Sequence, residues 1–340
     1  MKNLLAMLLF FSMYLFSCSN FSNKKEVKIE GLAQGTYYAI TYYDKEGINY
    51  QTAIDSFFKA FDMSASVYLE ESIISRLNNN DSTAIADEAF KYIFNKSMEV
   101  SRKTEGAFDI TVMPLVNAWG FGFTDPMKLD SAIVDSILPL VNYRNIKLVN
   151  GKLIKNNPEI KVDFNAIAQG YSADLIGKIL ESKGIENYLI DVGGEVLAKG
   201  TKSGNKMWKV GIEKPAENAD DARKLNAVVN LKNKALATSG NYRRFFVKDG
   251  IKYSHTIDPK TGFPVNHTIL STSVMANDCI TADAYATAFM VMGLEKIKSF
   301  LKQNPDLEVY IIYAEPNGRL ATWTSNGLKE LIESVPTENI

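Results

Sequence analysis

The sequence predicts an α+β fold, a two-lobed mixed α/β architecture whose lobes share an interface. Three observations carry this expectation. Apolar residues switch repeatedly between helical spacing and strand alternation, with no internal repeat. Turn signals such as Asn150-Gly151 join short strands as hairpins. The chain has 340 residues and no long linker, which at roughly 150 residues per domain suits about two packed bodies.

The elements follow in order. Residues 27–43 read as a strand pair around Gly31 and Gly35. Residues 52–61 and 88–104 have helical spacing, and in the second Phe90, Ile93, Phe94, Ser97 and Val100 share a face. Residues 145–156 form a hairpin across Asn150-Gly151, and 160–164 read as a strand. A helix is expected over 168–183, then an apolar strand over 188–192 that stops at Gly193-Gly194. Residues 208–273 are β-rich, with turns at Asp249-Gly250 and at 259–262. Residues 280–292 read as a helix rich in small residues, 294–303 as another helix, and 307–313 as a late strand. Residues 218–223 form the best surface-loop candidate.

Composition removes several function classes. At 46% hydrophobic and 23% charged the chain is globular rather than disordered. Lys plus Arg number 38 and Asp plus Glu 39, a formal charge of −1. That balance excludes a general nucleic-acid binder, which needs a basic field. Two cysteines, Cys18 and Cys279, and two histidines, His255 and His267, exclude a Cys/His zinc site and a disulfide scaffold. An enzyme using histidine would have only two candidates.

The N-terminus reads as an address. Met1-Lys2 leads into the apolar run 4–16, which ends at Ser17-Cys18. The run is shorter than the roughly 20 residues that span a bilayer. Residues 1–17 are read as a signal peptide, with Cys18 in the place of a bacterial lipoprotein's lipidated cysteine. Residues 18–26 then form a tether, and 27–340 one functional domain with two sub-lobes.

Several motifs could carry chemistry. Residues 280–293 read ITADAYATAFMVMG, and on a helix Asp283 and Thr287 lie four apart on one face. A carboxylate and a hydroxyl so placed offer two hard oxygens suited to Mg²⁺. The alternative is an Asp complementing the helix dipole and a Thr bonding back to a carbonyl. Residues 162–174 read VDFNAIAQGYSAD, with Asp163 expected to end a strand and Gly170 to permit close approach as a helix begins. Taken alone, that segment is better explained as a routine strand-to-helix turn. Residues 188–194, YLIDVGG, end a strand on two glycines but are not a dinucleotide fingerprint. His255 lies between two strand-like runs before a tight turn, where exposure suits a general base; His267 has fewer reactive neighbours. Residues 104–122 mix Asp109 with Phe108, Trp119 and Phe121 among glycines, which suits a flat ring or an ordinary core.

Taken in order, the pieces GTYY (35–38), SVYLEESIISRLN, GAFDITVMPLVNAWGFG, VDFNAIAQGYSAD, DVGGE, ATSGNYRRFF, YSHTIDPKTGFPV and TADAYATAFMVMG resemble the ApbE family of bacterial lipoproteins, the FAD:protein FMN transferases. The likeness spans about residues 30–335. It implies a flavin and metal cleft between the lobes. There FMN is moved from FAD onto a Thr or Ser hydroxyl of a partner protein, and AMP leaves. By position, Asp283, Thr287 and the backbone carbonyl of Ala166 would hold Mg²⁺, and His255 would take the hydroxyl proton. Tyr68 would stack on a ring of FAD. Gln34, Ala107, Phe108, Asp109, Asp163, Gln169 and Ile257 would complete the FAD site.

This sequence departs from the family at three places. Ala286 stands where some relatives carry a carboxylate, leaving only its backbone to help. Gln169 replaces a charged residue, and Gln34 a methionine. The resemblance further implies flavin-acceptor subunits of membrane redox complexes as partners, and a lipid-anchored domain facing the periplasm or cell exterior. The alternatives are a metal-dependent FAD pyrophosphatase, with water in place of the acceptor, and an FAD-binding lipoprotein without turnover.

Overall fold

The computed structural model describes residues 24–122, 131–215, 224–241, 245–248, 251–254 and 256–334. The chain opens with strands β1 (Lys25–Ala33) and β2 (Thr36–Asp44), joined at Gln34-Gly35, where both residues have positive φ, 54° and 72°. Five helices follow: α1 (Gln51–Ala65), α2 (Ile73–Asn78), α3 (Glu88–Lys103), α4 (Met113–Ala118) and α5 (Ser131–Ile137). The hairpin β3 (Ile146–Val149) and β4 (Lys152–Lys155) turns at Asn150-Gly151. Next come α6 (Ala168–Ser182), β5 (Tyr188–Val192), β6 (Glu195–Lys199), β7 (Trp208–Glu213), β8 (Leu225–Leu231) and β9 (Lys234–Gly240). The hairpin β10 (Phe245–Lys248) and β11 (Ile251–Ser254) precedes β12 (Ile269–Ala276). The chain then runs through α7 (Cys279–Met292), α8 (Leu294–Leu301), β13 (Glu308–Ala314), β14 (Leu320–Thr324), α9 (Asn326–Lys329) and β15 (Ile332–Ser334).

Eight strands form one sheet in the order β1-β2-β5-β6-β9-β12-β13-β14, and every pairing in it is antiparallel. This is the α+β arrangement expected. Alternation along the central strands decides what each face covers. Ala235 and Ala237, Val274, and Ile311 join a core shared with Ile54, Phe90, Ile176 and Phe289 of the helices. Their neighbours Leu236, Met275 and Ile312 face the other way, against Trp208, Ile212, Val229 and Leu231 of a smaller sheet ordered β15-β8-β7. A period of two thus puts helices on one face and a second sheet on the other. A satellite core of Leu115, Trp119, Val134, Val141 and Ile257 sits beside α4 and α5.

α7 is buried on nearly all sides, which its run of alanines allows, because it lies between α6 and the sheet. One expected strand is absent. Residues 160–164 have no regular secondary structure and are not paired in a sheet. Ile160, Val162 and Phe164 are buried as strand alternation would have them. The backbone is satisfied elsewhere: the Asn78 side chain donates to Val162 O at 2.8 Å and accepts from Val162 N at 2.7 Å, and Asp163 N donates to Ile110 O. Asp163 therefore follows an irregular segment rather than ending a strand. The turn after His255 is as expected, with Gly262 N donating to Asp258 O at 2.8 Å. The Asp249-Gly250 turn and the 218–223 loop lie outside the described residues.

Candidate functional site

The site is built where the start of α6 meets the first turns of α7. Two carboxylates already satisfy the α7 N-terminus. Asp278 accepts from Thr281 N at 2.9 Å, and Asp174, reaching across from α6, accepts from Cys279 N and Ile280 N at 2.8 and 2.9 Å. Asp283, one turn further on, is therefore not needed to complement the dipole. Its Oδ2 accepts from Gly170 N at 3.0 Å, and burial, with the Asp174 charge adding to it, raises its carboxyl above the ordinary range. Thr287 is half-buried, and its Oγ1 pairs with Ser239 Oγ of β9 at 3.2 Å.

The Gly170 bond has a second effect. An N–H at that helix position would ordinarily bond the carbonyl four residues back, which is Ala166. Here it is given to Asp283, and the Ala166 carbonyl stays outside the helix ladder. The carboxylate, the Thr287 hydroxyl and the Ala166 carbonyl are all hard oxygens. The Ala286 carbonyl, by contrast, accepts from Thr272 Oγ1 at 2.7 Å, and its side chain is fully buried. The expected backbone help from Ala286 is thus already committed to β12.

Glycine is required at position 170 by this packing. A Cβ there would lie 2.5 Å from the Cys279 carbonyl oxygen and 2.8 Å from Asp283 Cβ. Replacing an interior helical glycine by alanine ordinarily gains up to about 1 kcal/mol. Overpacking against backbone costs about 1–3 kcal/mol, so the clash wins. Gly170→Ala is expected to lower thermal stability despite its better helix propensity, read by calorimetry. A rise in melting temperature would show that α6 and α7 can separate without cost.

The remaining expected site residues fall into two sets. Around the start of α6, Asp163 is half-buried and accepts from Asn165 N at 2.7 Å; burial pushes its carboxyl up to about 6. Asn165 Nδ2 also reaches Tyr68 OH at 3.4 Å, and Tyr68 is 67% exposed. Gln34 accepts from Ser172 Oγ of α6 at 3.1 Å. Gln169 Nε2 lies against the β5–β6 turn at Gly193.

The second set is more enclosed. Ala107 and Phe108 are buried. Asp109 spends both carboxylate oxygens locally: Oδ1 on Thr111 N and Oγ1 at 2.8 and 2.6 Å, and Oδ2 on Tyr143 N at 2.8 Å. Burial raises its carboxyl. It shapes the 107–111 loop, so what this stretch offers a ligand is backbone. Ile257 is buried in the satellite core, where Trp119 Nε1 donates to Gly262 O at 2.9 Å. His255 and Cys18 lie outside the described residues.

The structure adds residues that sequence reasoning did not single out. Asp174 and Asn78 lock the site's frame, and Ser239 meets Thr287. Glu195 opens β6, is 8% exposed, and its buried Oε2 has no hydrogen-bond partner among the described residues. Asp174 closes the VDFNAIAQGYSAD motif and Glu195 the DVGGE motif, so both lay inside recognised segments without a role. An orphaned buried carboxylate that feels the charge of Asp283 fits a site meant for a cation. Among the described residues no three His, Cys, Asp or Glu side chains cluster as a metal group. Mg²⁺ tolerates few protein ligands when phosphates and water supply the others.

Comparison with known proteins places the chain. The ApbE family model matches residues 34–311. A Vibrio cholerae FAD:protein FMN transferase is 36% identical over 282 residues, covering 80% of this chain and 83% of that protein. The Haemophilus influenzae protein of the same name is 32% identical and covers 98% and 99% of the two chains. The solved flavin transferase ApbE from Vibrio cholerae superposes with a TM-score of 0.81 at 32% identity, covering 91% of this chain and 99% of that one. A match that takes in α6, α7 and every strand of the main sheet's centre, at this identity, makes the chain a member of the ApbE family.

Proposed function

We propose that this chain is a Mg²⁺-dependent FAD:protein FMN transferase, acting on a Thr or Ser hydroxyl of a partner protein. The observation that carries the reading is the junction of α6 and α7, where Asp283 accepts from Gly170 N, Thr287 meets Ser239 one turn further on, and the Ala166 carbonyl is left out of the helix ladder. Family membership and relatives bearing that activity support it.

The chemistry can be written so that it balances. The acceptor oxygen bonds to the FMN phosphorus, the bridging P–O bond breaks, and AMP leaves with that electron pair. The hydroxyl proton passes to His255. A bound Mg²⁺ would neutralise the pyrophosphate and stabilise the leaving phosphate. Asp283 and Thr287 would hold the cation with the Ala166 carbonyl. Tyr68, by its exposure, would cover a ring of FAD, while Asp163, Gln169 and Gln34 offer hydrogen bonds around the start of α6 and the 107–109 and 257 stretches wall the pocket. With a formal charge of −1 overall, phosphate must be met by this local arrangement and not by a basic surface.

The N-terminal sequence supports a lipoprotein: signal peptide 1–17, lipid on Cys18, and a functional domain over 27–340 held outside the cytoplasmic membrane. Its partners would then be flavin-carrying subunits of membrane redox complexes. Among the described residues no helix is long and apolar enough to cross a membrane.

Incubation with FAD, Mg²⁺ and a candidate acceptor tests the reading. The expected result is a fluorescent flavin that stays on the acceptor through denaturing electrophoresis, with one AMP released per flavin. FMN and AMP released freely, with no flavin on any acceptor, would replace transferase by pyrophosphatase. Intact FAD after long incubation would reduce the chain to a binding protein.

A further inference from the structure

We propose that Glu195 is a second carboxylate of the cation site, facing Asp283 from the sheet. This rests on the reading of Asp283 and Thr287 as cation ligands.

The placement follows from strand alternation. Val196 and Ala198 of β6 point into the core shared with β7 and β8. Glu195 and Leu197 therefore point to the opposite face, and Leu197 packs against the helix-side core. That face carries α6 and α7. The turn leading into Glu195 touches the same region, since Gly193 lies against Gln169 of α6. Ser239, which meets Thr287, projects from the same face of β9 as Ala235 and Ala237. Glu195, Ser239, Asp283 and Thr287 thus line one sheet–helix interface from both sides.

The burial of Glu195 is otherwise unexplained. Among the described residues, its Oε2 has no hydrogen-bond partner. The charges that act on it are those of Asp283 and Asp191, both anionic, and only its own backbone N–H favours the ionised form. Among the described residues, no Lys or Arg side chain is one of the groups that act on it. A buried carboxylate so placed is costly unless paired with a cation. Asp283 has one oxygen committed to Gly170 and the other available. A divalent cation between the two carboxylates would satisfy both at once, and Mg²⁺ is content with one or two carboxylates and phosphate oxygens.

The test measures metal affinity and not turnover. Mn²⁺ is titrated into the full chain with saturating FAD and no acceptor, and free Mn²⁺ is read by electron paramagnetic resonance, with Mg²⁺ as competitor. Glu195→Gln, which keeps the shape, is expected to weaken Mn²⁺ binding about tenfold or more. In EDTA its melting temperature should be no lower than that of the parent. Glu195→Asp, which withdraws the charge by one methylene, should fall between the two and serves if the Gln variant fails to fold. Asp283→Asn is measured alongside. Unchanged affinity in the Glu195 variants with weakened binding in Asp283→Asn would overturn the assignment of Glu195 alone. Unchanged affinity in all of them would overturn the cation site itself, and this assignment with it.

Discussion

Asp283→Asn is expected to reduce FMN transfer by about 10³-fold, since Lewis-acid stabilisation of phosphate charge is worth several kcal/mol and about 4 kcal/mol is three powers of ten. The substitution isolates charge from architecture. An amide oxygen at the same place can still accept from Gly170 N, now at 3.0 Å from Oδ2, so the α6–α7 contact survives. What is lost is the anionic oxygen that a hard cation prefers. Asp283 is 6% exposed and raised by burial, so its ionised form is unfavourable without a cation. In EDTA the variant should therefore be at least as stable as the parent, while added Mg²⁺ should raise the melting temperature of the parent only. Transfer within tenfold of the parent at saturating Mg²⁺ would remove Asp283 from the cation's shell. A large loss of stability in EDTA would instead make it a structural residue whose hydrogen bond depends on charge.

The parts of this molecule that were legible in sequence are those set by local chemistry. α3 was readable because its apolar residues recur at helical spacing; the Asp87 cap, whose side chain accepts from Phe90 N, is added by the structure. The β3–β4 hairpin was readable because Asn150 and Gly151 both tolerate positive φ. Asp283 and Thr287 were readable as a pair because four residues make one helical face. Residues 160–164 misled because alternating burial is what a strand also requires. Their partners are not a neighbouring strand but the Asn78 side chain, 84 residues away from Val162, and the Ile110 carbonyl. The site's assembly was hidden for the same reason. Gly170 reaches Asp283 across 113 residues and Asp174 reaches Cys279 across 105. Glu195 has no role of its own in the DVGGE motif, and only the sheet's alternation turns it inward. Resemblance to a family located the motifs, but it did not say which of their residues hold the frame and which are left unpaired.

His255→Ala is expected to slow transfer by about 10²–10⁴-fold, the usual worth of a positioned general base, with FAD affinity unchanged. A Thr or Ser hydroxyl is a weak nucleophile at neutral pH, so removal of its proton must be assisted at the moment of attack. Only two histidines exist in the chain, and the structure disqualifies the other. His267 Nε2 lies 2.7 Å from the Met290 carbonyl and Nδ1 accepts from Ile269 N at 3.3 Å, so both ring nitrogens are engaged. That pattern places the proton on Nε2, and burial lowers the pKa of the ring. A neutral imidazole so held is a structural pin between α7 and β12. His255 has the opposite setting in sequence, two residues before Ile257 and the Asp258–Gly262 turn that closes on the satellite core. Single-turnover transfer from FAD to an acceptor separates the two histidines. Loss at His255 should be partly restored by added imidazole and should shrink as pH rises, because solvent base then takes over the proton. His267→Ala, the control, should lower the melting temperature and leave the pH profile of transfer in place. Full activity in His255→Ala would mean that another group accepts the proton, and a shifted profile in His267→Ala would name which.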